Sequence, residues 1–268
     1  MIDHGRHNIL GVMVNAVDQE EAVRRIMAAA DGPTPFAGTA LAVHGVMTGE
    51  QDPEHRARLN GLDLVVPDGQ PVRWALNRLY GTGLRDRVYG PDLMLAVCGA
   101  AEARGYGVYL YGSTRDVLDK LVGRLHERFP ELIISGAEPS KFARLSPGEK
   151  AATVARIRNS GARITFVGLG CPKQEVWAYE YREALGIPVL AVGAAFDFHA
   201  GTTPQAPAWM QRRGLEWLFR LRTDPRRLWK RYVLLNPAYL ALVTMQALHL
   251  RRFEPRTGNA PVHELSYG

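Results

Sequence analysis

Short apolar runs alternate with longer segments of helical spacing along most of this sequence, and this alternation constrains the fold more than any other feature. The apolar runs predict strands at residues 9–14, 40–46, 62–66, 106–111, 132–135, 163–167 and 189–192. The segments between them predict helices at residues 18–30, 53–59, 71–80, 92–104, 115–129, 147–160 and 173–184. Short buried strands joined by helices of this length are typical of a parallel sheet covered on both faces. We therefore expect an α/β fold with helices on both faces of a parallel sheet.

The C-terminal quarter of the sequence differs from the rest in charge. Residues 205–256 contain eleven Lys/Arg and three Asp/Glu, whereas the remainder is slightly acidic. Trp and Leu residues interleave with these arginines. The apolar stretch 233–250 is broken by polar residues and a proline, so it falls short of the roughly 20 apolar residues of a membrane span. The pattern favours basic helices lying on an anionic membrane surface. The alternative is a helical layer that packs on the sheet with its arginines in water.

These differences divide the chain into an α/β body (1–204), a basic aromatic appendage (205–254) and a polar, flexible tail (255–268). Two cysteines, Cys98 and Cys171, are too few for a disulfide framework, and no apolar signal segment follows the N-terminus, so we expect a cytoplasmic protein. A nucleic-acid-binding module is an alternative for the basic appendage. Its Trp and Leu residues fit a lipid surface better, and we expect no nucleic-acid partner.

Polar residues and glycines follow four of the predicted strands, where open α/β sheets bind ligands. Asp68 follows the first of these strands in Pro67-Asp68-Gly69, and Gly112-Ser113 follows the second. The third is followed by Gly168-Leu169-Gly170 and the fourth by a segment with Asp197 between two phenylalanines. Glycine loops that lead into helices can bind phosphate through backbone N–H groups, although tight turns use glycine for structural reasons alone. The loops at Gly112 and Gly168 match neither the Gly-x-Gly-x-x-Gly fingerprint of dinucleotide binding nor the Gly-Lys-Ser/Thr loop of nucleotide triphosphatases. Their absence disfavours hydride transfer and triphosphate hydrolysis.

Asp68 is the best candidate for a general base, because a carboxylate at a strand end faces the ligand. Its alternative role is to cap the turn before the next helix. Gln174 is a candidate ligand donor, whereas Glu175 suits the positive end of a helix dipole. Asp197 either binds a ribose or base edge or satisfies nearby backbone groups.

The sequence gives little support for a metal site. Its eight histidines are scattered, its two cysteines lie far apart, and no Asp-x-Asp pair is present to hold a magnesium diphosphate. We therefore expect arginines and helix ends to neutralise any diphosphate, with no metal and no cofactor. His44 and His199 lie near strand ends, where a buried, hydrogen-bonded histidine is the simpler interpretation.

Five motifs together resemble those of the WecG/TagA/CpsF family of bacterial glycosyltransferases, across about residues 8–232. They are Pro67-Asp68-Gly69, Arg87-Val88-Tyr89-Gly90-Pro91-Asp92-Leu93, Gly168-Leu169-Gly170-Cys171-Pro172-Lys173-Gln174-Glu175, Gly193 to Gly201, and Ala206-Pro207 with Gly214 to Leu221. The resemblance implies a Rossmann-like, inverting, metal-independent enzyme that uses a UDP-sugar. It further implies an acceptor sugar on undecaprenyl diphosphate and a peripheral position on the inner face of the cell membrane.

The resemblance also implies roles for single residues. Asp68 would be the base, Gln174 and Asp197 would lie in the donor pocket, and Arg87 would lie beside it. The appendage would fold over the site, with Arg220, Arg227 and Arg231 meeting diphosphate.

Two departures from the family pattern leave the donor sugar open. Members often carry Thr-x-Asn where this chain has Ala40 and Ala42, although Thr39 and His44 lie close by as substitutes. Members also often have an arginine where this chain has Gln205. The donor is therefore either a hexose or an N-acetylhexosamine, and homo-oligomerisation stays open.

Overall fold

The structure is a computed structural model that describes residues 1–255, 261 and 263–268. For Arg227, Lys230 and Arg231 it describes the backbone alone. The predicted diphosphate contacts of Arg227 and Arg231 thus fall on side chains outside the described part of the chain.

A six-stranded parallel sheet forms the centre of the molecule. The chain begins with an antiparallel hairpin of β1 (Asp3–Ile9) and β2 (Val12–Val17). The sheet strands are β3 (Phe36–Leu41), β4 (Leu64–Pro67), β5 (Gly107–Gly112), β6 (Ile134–Glu138), β7 (Ala162–Gly168) and β8 (Pro188–Ala191). They lie in the order β4-β3-β8-β7-β5-β6, and every neighbouring pair is parallel. The carboxyl ends of all six strands therefore meet at one edge.

Helices cover both faces of the sheet, which confirms the predicted α/β architecture. They are α1 (Gln19–Ala30), α2 (Val43–Gln51), α3 (Pro53–Asn60), α4 (Gln70–Tyr80), α5 (Gly90–Glu102), α6 (Arg115–Arg128), α7 (Pro147–Asn159), α8 (Lys173–Leu185) and the short α9 (Ala195–His199). Two separate apolar cores result. One contains side chains of α2, α4, α7 and α8, and the other contains side chains of α1, α5, α6 and α9.

Three local predictions were wrong. The run 9–14 is not one strand, because a turn at Gly11, with φ of +89°, separates β1 from β2. The run 40–46 is a strand only as far as Leu41 and then becomes α2, since periodicity cannot distinguish a buried strand from a buried helix in so short a segment. Asp197 lies in the helix α9 rather than at a strand end.

The appendage is helical and rests on the body. Its elements are α10 (Ala208–Arg212), α11 (Glu216–Thr223), α12 (Pro225–Lys230), a π-helical turn (Arg231–Leu235) and α13 (Asn236–Ala247). Tyr239 of α13 is buried and donates a 3.2 Å hydrogen bond to the Pro71 carbonyl. Gln246 accepts from the Leu10 N–H and donates to the Asn8 carbonyl. These contacts tie α13 to the body, and no helix among the described residues is long and apolar enough to cross a membrane.

The last residues of the chain, which the sequence analysis assigns to a flexible tail, dock on the body over 263–268. Both carboxylate oxygens of Glu180 accept hydrogen bonds from the tail, from the N–H groups of Leu265 (2.7 Å) and Ser266 (2.9 Å). The Gly268 N–H donates to the Ala143 carbonyl. This part of the tail therefore joins α8 to the loop between β6 and α7.

Candidate functional site

The carboxyl edge of the sheet carries a cleft of about 460 Å³. Residues at or after the ends of β3, β4, β5, β7 and β8 line its walls, and two residues of α11, Glu216 and Arg220, face it from the appendage. The cleft includes the following residues from the sequence predictions: His44, Asp68, Ser113, Gly168, Gly170, Gln174, Asp197 and Arg220. Parallel strands bring these residues together because all their carboxyl ends point the same way.

Asp68 follows β4 directly and faces this cleft. Its Oδ1 accepts a 2.7 Å hydrogen bond from the Gly90 N–H at the start of α5. Burial raises the pKa of Asp68 to about 6; Arg87 lowers that pKa, Glu216 raises it, and the Gly90 hydrogen bond and Arg220 lower it. A carboxylate with this pKa is ionised at neutral pH and still basic enough to take a proton from a hydroxyl group.

Arg87 connects this carboxylate with the appendage. Its guanidinium donates to Glu216 Oε2 at 2.8 Å and to Gln211 Oε1 at 3.2 Å, and it stacks 4.0 Å from the centre of the Tyr89 ring. The Tyr89 hydroxyl donates to Glu216 Oε1 at 3.3 Å. Arg87 does not line the main cleft but a neighbouring cavity, and its guanidinium contacts the cleft wall through Glu216.

Two glycine loops form the floor of the cleft. Gly112 has a φ of +117°, and a Cβ there would lie 2.7 Å from the Gly168 carbonyl oxygen, so only glycine allows the two loops to approach. The Ser113 N–H donates to the same carbonyl at 3.0 Å. Gly170, with φ of +78°, precedes α8. The N-termini of α6 and α8 thus open beside the cleft, and free N–H groups there attract anions.

Thr39, Gln174 and Glu175 form a buried polar network at the base of the cleft, and Gln174 and Glu175 also line the cleft. Gln174 accepts from the Gly170 N–H through Oε1 and donates to Glu175 Oε1 at 2.9 Å. The Thr39 hydroxyl donates to the same carboxylate oxygen at 3.1 Å. Burial raises the pKa of Glu175, and hydrogen bonds from Gln174, Thr39 and Cys171 oppose that rise. Thr39 therefore supports Glu175 from below and does not itself line the cleft.

The remaining candidates take up different positions around the cleft. Asp197 lines it from α9 and accepts a hydrogen bond from the Thr202 hydroxyl at 3.4 Å. Arg220 lies with its guanidinium 5.7 Å from the Phe198 ring centre. His199 forms a 2.9 Å hydrogen bond with the Pro91 carbonyl, and burial lowers its pKa. His199 is thus a buried, hydrogen-bonded histidine, as the sequence analysis predicts.

A second, smaller cavity of about 120 Å³ adjoins the cleft between the body and the appendage. It shares Ala42, His44, Asp68, Glu216 and Arg220 with the main cleft. Apolar side chains of the appendage complete it, namely Trp217, Tyr232 and Leu235. Asp68 therefore stands between two compartments, one at the sheet edge and one under the appendage.

Sequence reasoning missed some residues of the site. Glu216 lies in the last of the five motifs, but nothing along the sequence shows that it pairs with Arg87. Phe142, from the loop after β6, lines the cleft without any sequence signal. Ala40 and Ala42, at the positions where the family often has Thr-x-Asn, both line the cleft.

Comparisons with known proteins identify a family and relatives for this chain. The model of the glycosyl transferase WecG/TagA/CpsF family matches residues 7–253. An N-acetylglucosaminyldiphosphoundecaprenol N-acetyl-beta-D-mannosaminyltransferase of Bacillus subtilis is 29% identical over 199 residues, which cover 74% of this chain and 75% of that protein. The protein of the same name from Bacillus spizizenii is 30% identical over 194 residues, which cover 72% of each chain.

Proposed function

The chain belongs to the WecG/TagA/CpsF family of glycosyltransferases, and we propose that it transfers a sugar from a UDP-sugar to a sugar carried on undecaprenyl diphosphate. The position of Asp68 between two cavities, with its pKa raised to about 6, supports this proposal most directly. The names of the two Bacillus relatives, which act on N-acetylglucosaminyl diphosphoundecaprenol, support the acceptor class.

In the proposed reaction the donor occupies the sheet-edge cleft and the acceptor sugar enters from the cavity under the appendage. The acceptor hydroxyl attacks the anomeric carbon while its proton passes to Asp68. The bond from the anomeric carbon to the diphosphate oxygen breaks, and UDP leaves with the electron pair. Because attack and departure occur on opposite faces of one carbon, a single displacement inverts the anomeric configuration.

Positive charge is required to stabilise the leaving diphosphate. In the cleft it comes from helix N-termini and from an arginine. The N-termini of α6 and α8 open beside the glycine loops at Gly112 and Gly170, and Arg220 reaches the cleft from α11. Fixed dipoles and cations of this kind stabilise charge that develops in a transition state. We accordingly place these groups, and not a magnesium ion, around the diphosphate, with Arg227 and Arg231 as further predicted contacts.

The donor sugar is proposed to be a hexose or an N-acetylhexosamine. The cleft wall at the end of β3 is formed by Ala40, Leu41 and Ala42, whose side chains carry no hydroxyl or amide group. A sugar that relies on hydrogen bonds from the positions of Ala40 and Ala42 would lose them in this chain. Thr39 lies beneath the cleft and cannot replace them directly, whereas His44 lines both cavities.

We further propose that the appendage docks on the inner face of an anionic membrane, where the lipid acceptor resides. Its surface exposes large apolar side chains, among them Trp229, Leu234 and Leu240. Exposed arginines accompany them, including Arg213, Arg222 and Arg226. Apolar and basic groups on one surface are typical of interfacial helices. Docking there would bring the second cavity to the acceptor.

The proposal is tested in two steps with the full chain. A panel of UDP-sugars is first scored for protection against thermal unfolding, since a ligand that binds the native state raises the midpoint. The best donor is then used in transfer assays on undecaprenyl-diphosphate-linked acceptors. Asp68→Asn should retain UDP protection and lose transfer at least 100-fold, as expected for a general base. Asp119→Asn, at an exposed side chain further along α6, is the matched control.

Two outcomes would contradict the proposal. If no UDP-sugar shifts the unfolding midpoint and none supports transfer, the donor class is wrong. If Asp68→Asn turns over at a near-normal rate with the correct donor, another residue is the base.

A further inference from the structure

His55 is a buried histidine whose two ring nitrogens are unsatisfied among the described residues. It lies in the first turn of α3 and is 2% exposed. Neither Nδ1 nor Nε2 has a hydrogen-bond partner among the described residues. An imidazole buried in this way loses its hydrogen bonds to water and gains none in return, which is costly and uncommon in native proteins. The buried ring therefore either binds a ligand or is held in place by apolar packing alone.

Two further metal-binding groups lie beside this ring. A nitrogen of His55, the Cys171 sulfur and a carboxylate oxygen of Glu175 all lie within 4.8 Å of one another. Glu175 is 1% exposed, and its Oε2 is buried without a hydrogen-bond partner in the part of the chain that the structure describes. A nitrogen, a sulfur and an oxygen donor thus lie close together, with unsatisfied atoms on His55 and Glu175.

Secondary structure holds these groups in place. Asp52 caps α3 by accepting from the Glu54 and His55 N–H groups, which fixes the start of that helix. Cys171 lies in the loop between β7 and α8, and Glu175 lies in the first turn of α8. The helices α3 and α8 pack against each other, so the cluster joins α3 to the loop that forms the cleft floor.

We propose that His55, Cys171 and Glu175 bind one zinc ion. Zinc accepts nitrogen, thiolate and carboxylate ligands in tetrahedral sites, with bonds of about 2.0–2.3 Å. The three donor atoms now lie within 4.8 Å of one another, and binding would draw them closer together. Binding releases the thiol proton of Cys171, and a thiolate with a carboxylate neutralises the charge of the ion. The buried site would then carry no net charge.

The fourth zinc position would face the cleft. Cys171 and Glu175 both line the cleft, whereas His55 lies behind them. Three protein ligands with one open position is the arrangement found in zinc sites that exchange water or substrate. The ion would also fasten the Gly168–Gln174 segment to α3. We place it below the cleft floor and separate from the diphosphate, whose charge is met by helix ends and arginine.

This cluster could not be predicted from the sequence. The three donors come from position 55 and from positions 171 and 175, and no short spacing rule for zinc sites joins them. The competing explanation is that His55 fills apolar space and that the hydrogen bond from the Cys171 thiol to Glu175 already accounts for these two groups. The two explanations differ in whether the full chain binds a divalent ion.

Cobalt titration of the metal-free chain distinguishes them. Thiolate bound to Co²⁺ gives an intense near-ultraviolet charge-transfer band, and tetrahedral Co²⁺ gives strong visible bands. The chain has two cysteines, so any such band arises from Cys98 or Cys171. We expect one equivalent of Co²⁺ to bind, Zn²⁺ to displace it, and Zn²⁺ to raise the midpoint of thermal unfolding.

Variants then locate the site. Cys171→Ser should abolish the charge-transfer band, His55→Phe should weaken Co²⁺ binding at least 10-fold, and Cys98→Ala should leave both unchanged. Absence of the band in the unaltered chain at millimolar Co²⁺ would overturn the proposal without any variant. Persistence of the band in Cys171→Ser would overturn it as well. UDP-sugar transfer is not used as a readout, so failure here is distinct from failure of the proposed function.

Discussion

The guanidinium of Arg87 donates a 2.8 Å hydrogen bond to the carboxylate of Glu216, and this ion pair joins the body to the appendage. The two side chains are 8% and 14% exposed, so water screens the pair little. Arg87 lowers the pKa of Asp68 and Glu216 raises it. The seating of the appendage is therefore linked electrostatically to the proposed base.

Glu216→Gln should destabilise the fold by about 3 kcal/mol, because it leaves the buried charge of Arg87 without its carboxylate. Urea unfolding of the full chain measures this loss. Glu127→Gln, on the exposed surface of α6, should change stability by less than about 0.5 kcal/mol. Equal stability of the Glu216 variant and the unaltered chain would show that the pair contributes nothing to seating the appendage.

The pH profile of kcat/KM should rise with pH through an acid limb near 6. Asp68 accepts a proton only when ionised, and burial raises its pKa to about 6, so activity falls about tenfold per pH unit below that value. A limb near pH 4 would indicate that the base is a carboxylate with an ordinary pKa.

In Glu216→Gln this acid limb should move to lower pH. Removing a negative neighbour, and freeing Arg87 to interact with Asp68, both favour the ionised carboxylate and so lower its pKa. The residual activity of the variant is measured across pH 4.5–8, a range chosen to span about two units around the limb. A limb that moves upward instead would contradict the assignment of the limb to Asp68.

Gly112→Ala should destabilise the protein by about 2 kcal/mol or more. The added Cβ would lie 2.7 Å from the Gly168 carbonyl oxygen at a φ of +117°, which side chains rarely adopt. Gly123→Ala in α6 is the matched control. A Cβ there meets nothing within 4 Å, and alanine in a helix should stabilise by about 0.5–1 kcal/mol. Thermal unfolding compares the two, and equal midpoints would contradict the close approach of the loops.

Glu180→Ala should release the docked end of the chain. The variant loses both acceptors for the Leu265 and Ser266 N–H groups, so the 139–146 loop loses a neighbour. Faster hydrogen exchange in that loop and a several-fold higher KM for the donor are expected, since Phe142 lines the cleft. Glu183→Ala, exposed on the same helix, should change neither quantity.

Parts of this protein follow from the sequence alone. The alternation of apolar runs and helical segments determined the parallel sheet, because short buried strands need helical crossovers. It also determined that Asp68 and the glycine loops share one edge, since parallel strands end on the same side. The basic, aromatic appendage was visible as a change in composition at about residue 205.

Tertiary structure alone decided which distant residues meet. Arg87 pairs with Glu216 across 129 positions. His55 lies beside Cys171 and Glu175, although it is distant from both along the chain. The segment 40–46 became half strand and half helix, which periodicity could not distinguish. In each case the outcome depends on packing between elements, and packing brings together side chains whose separation along the chain carries no information about their distance in space.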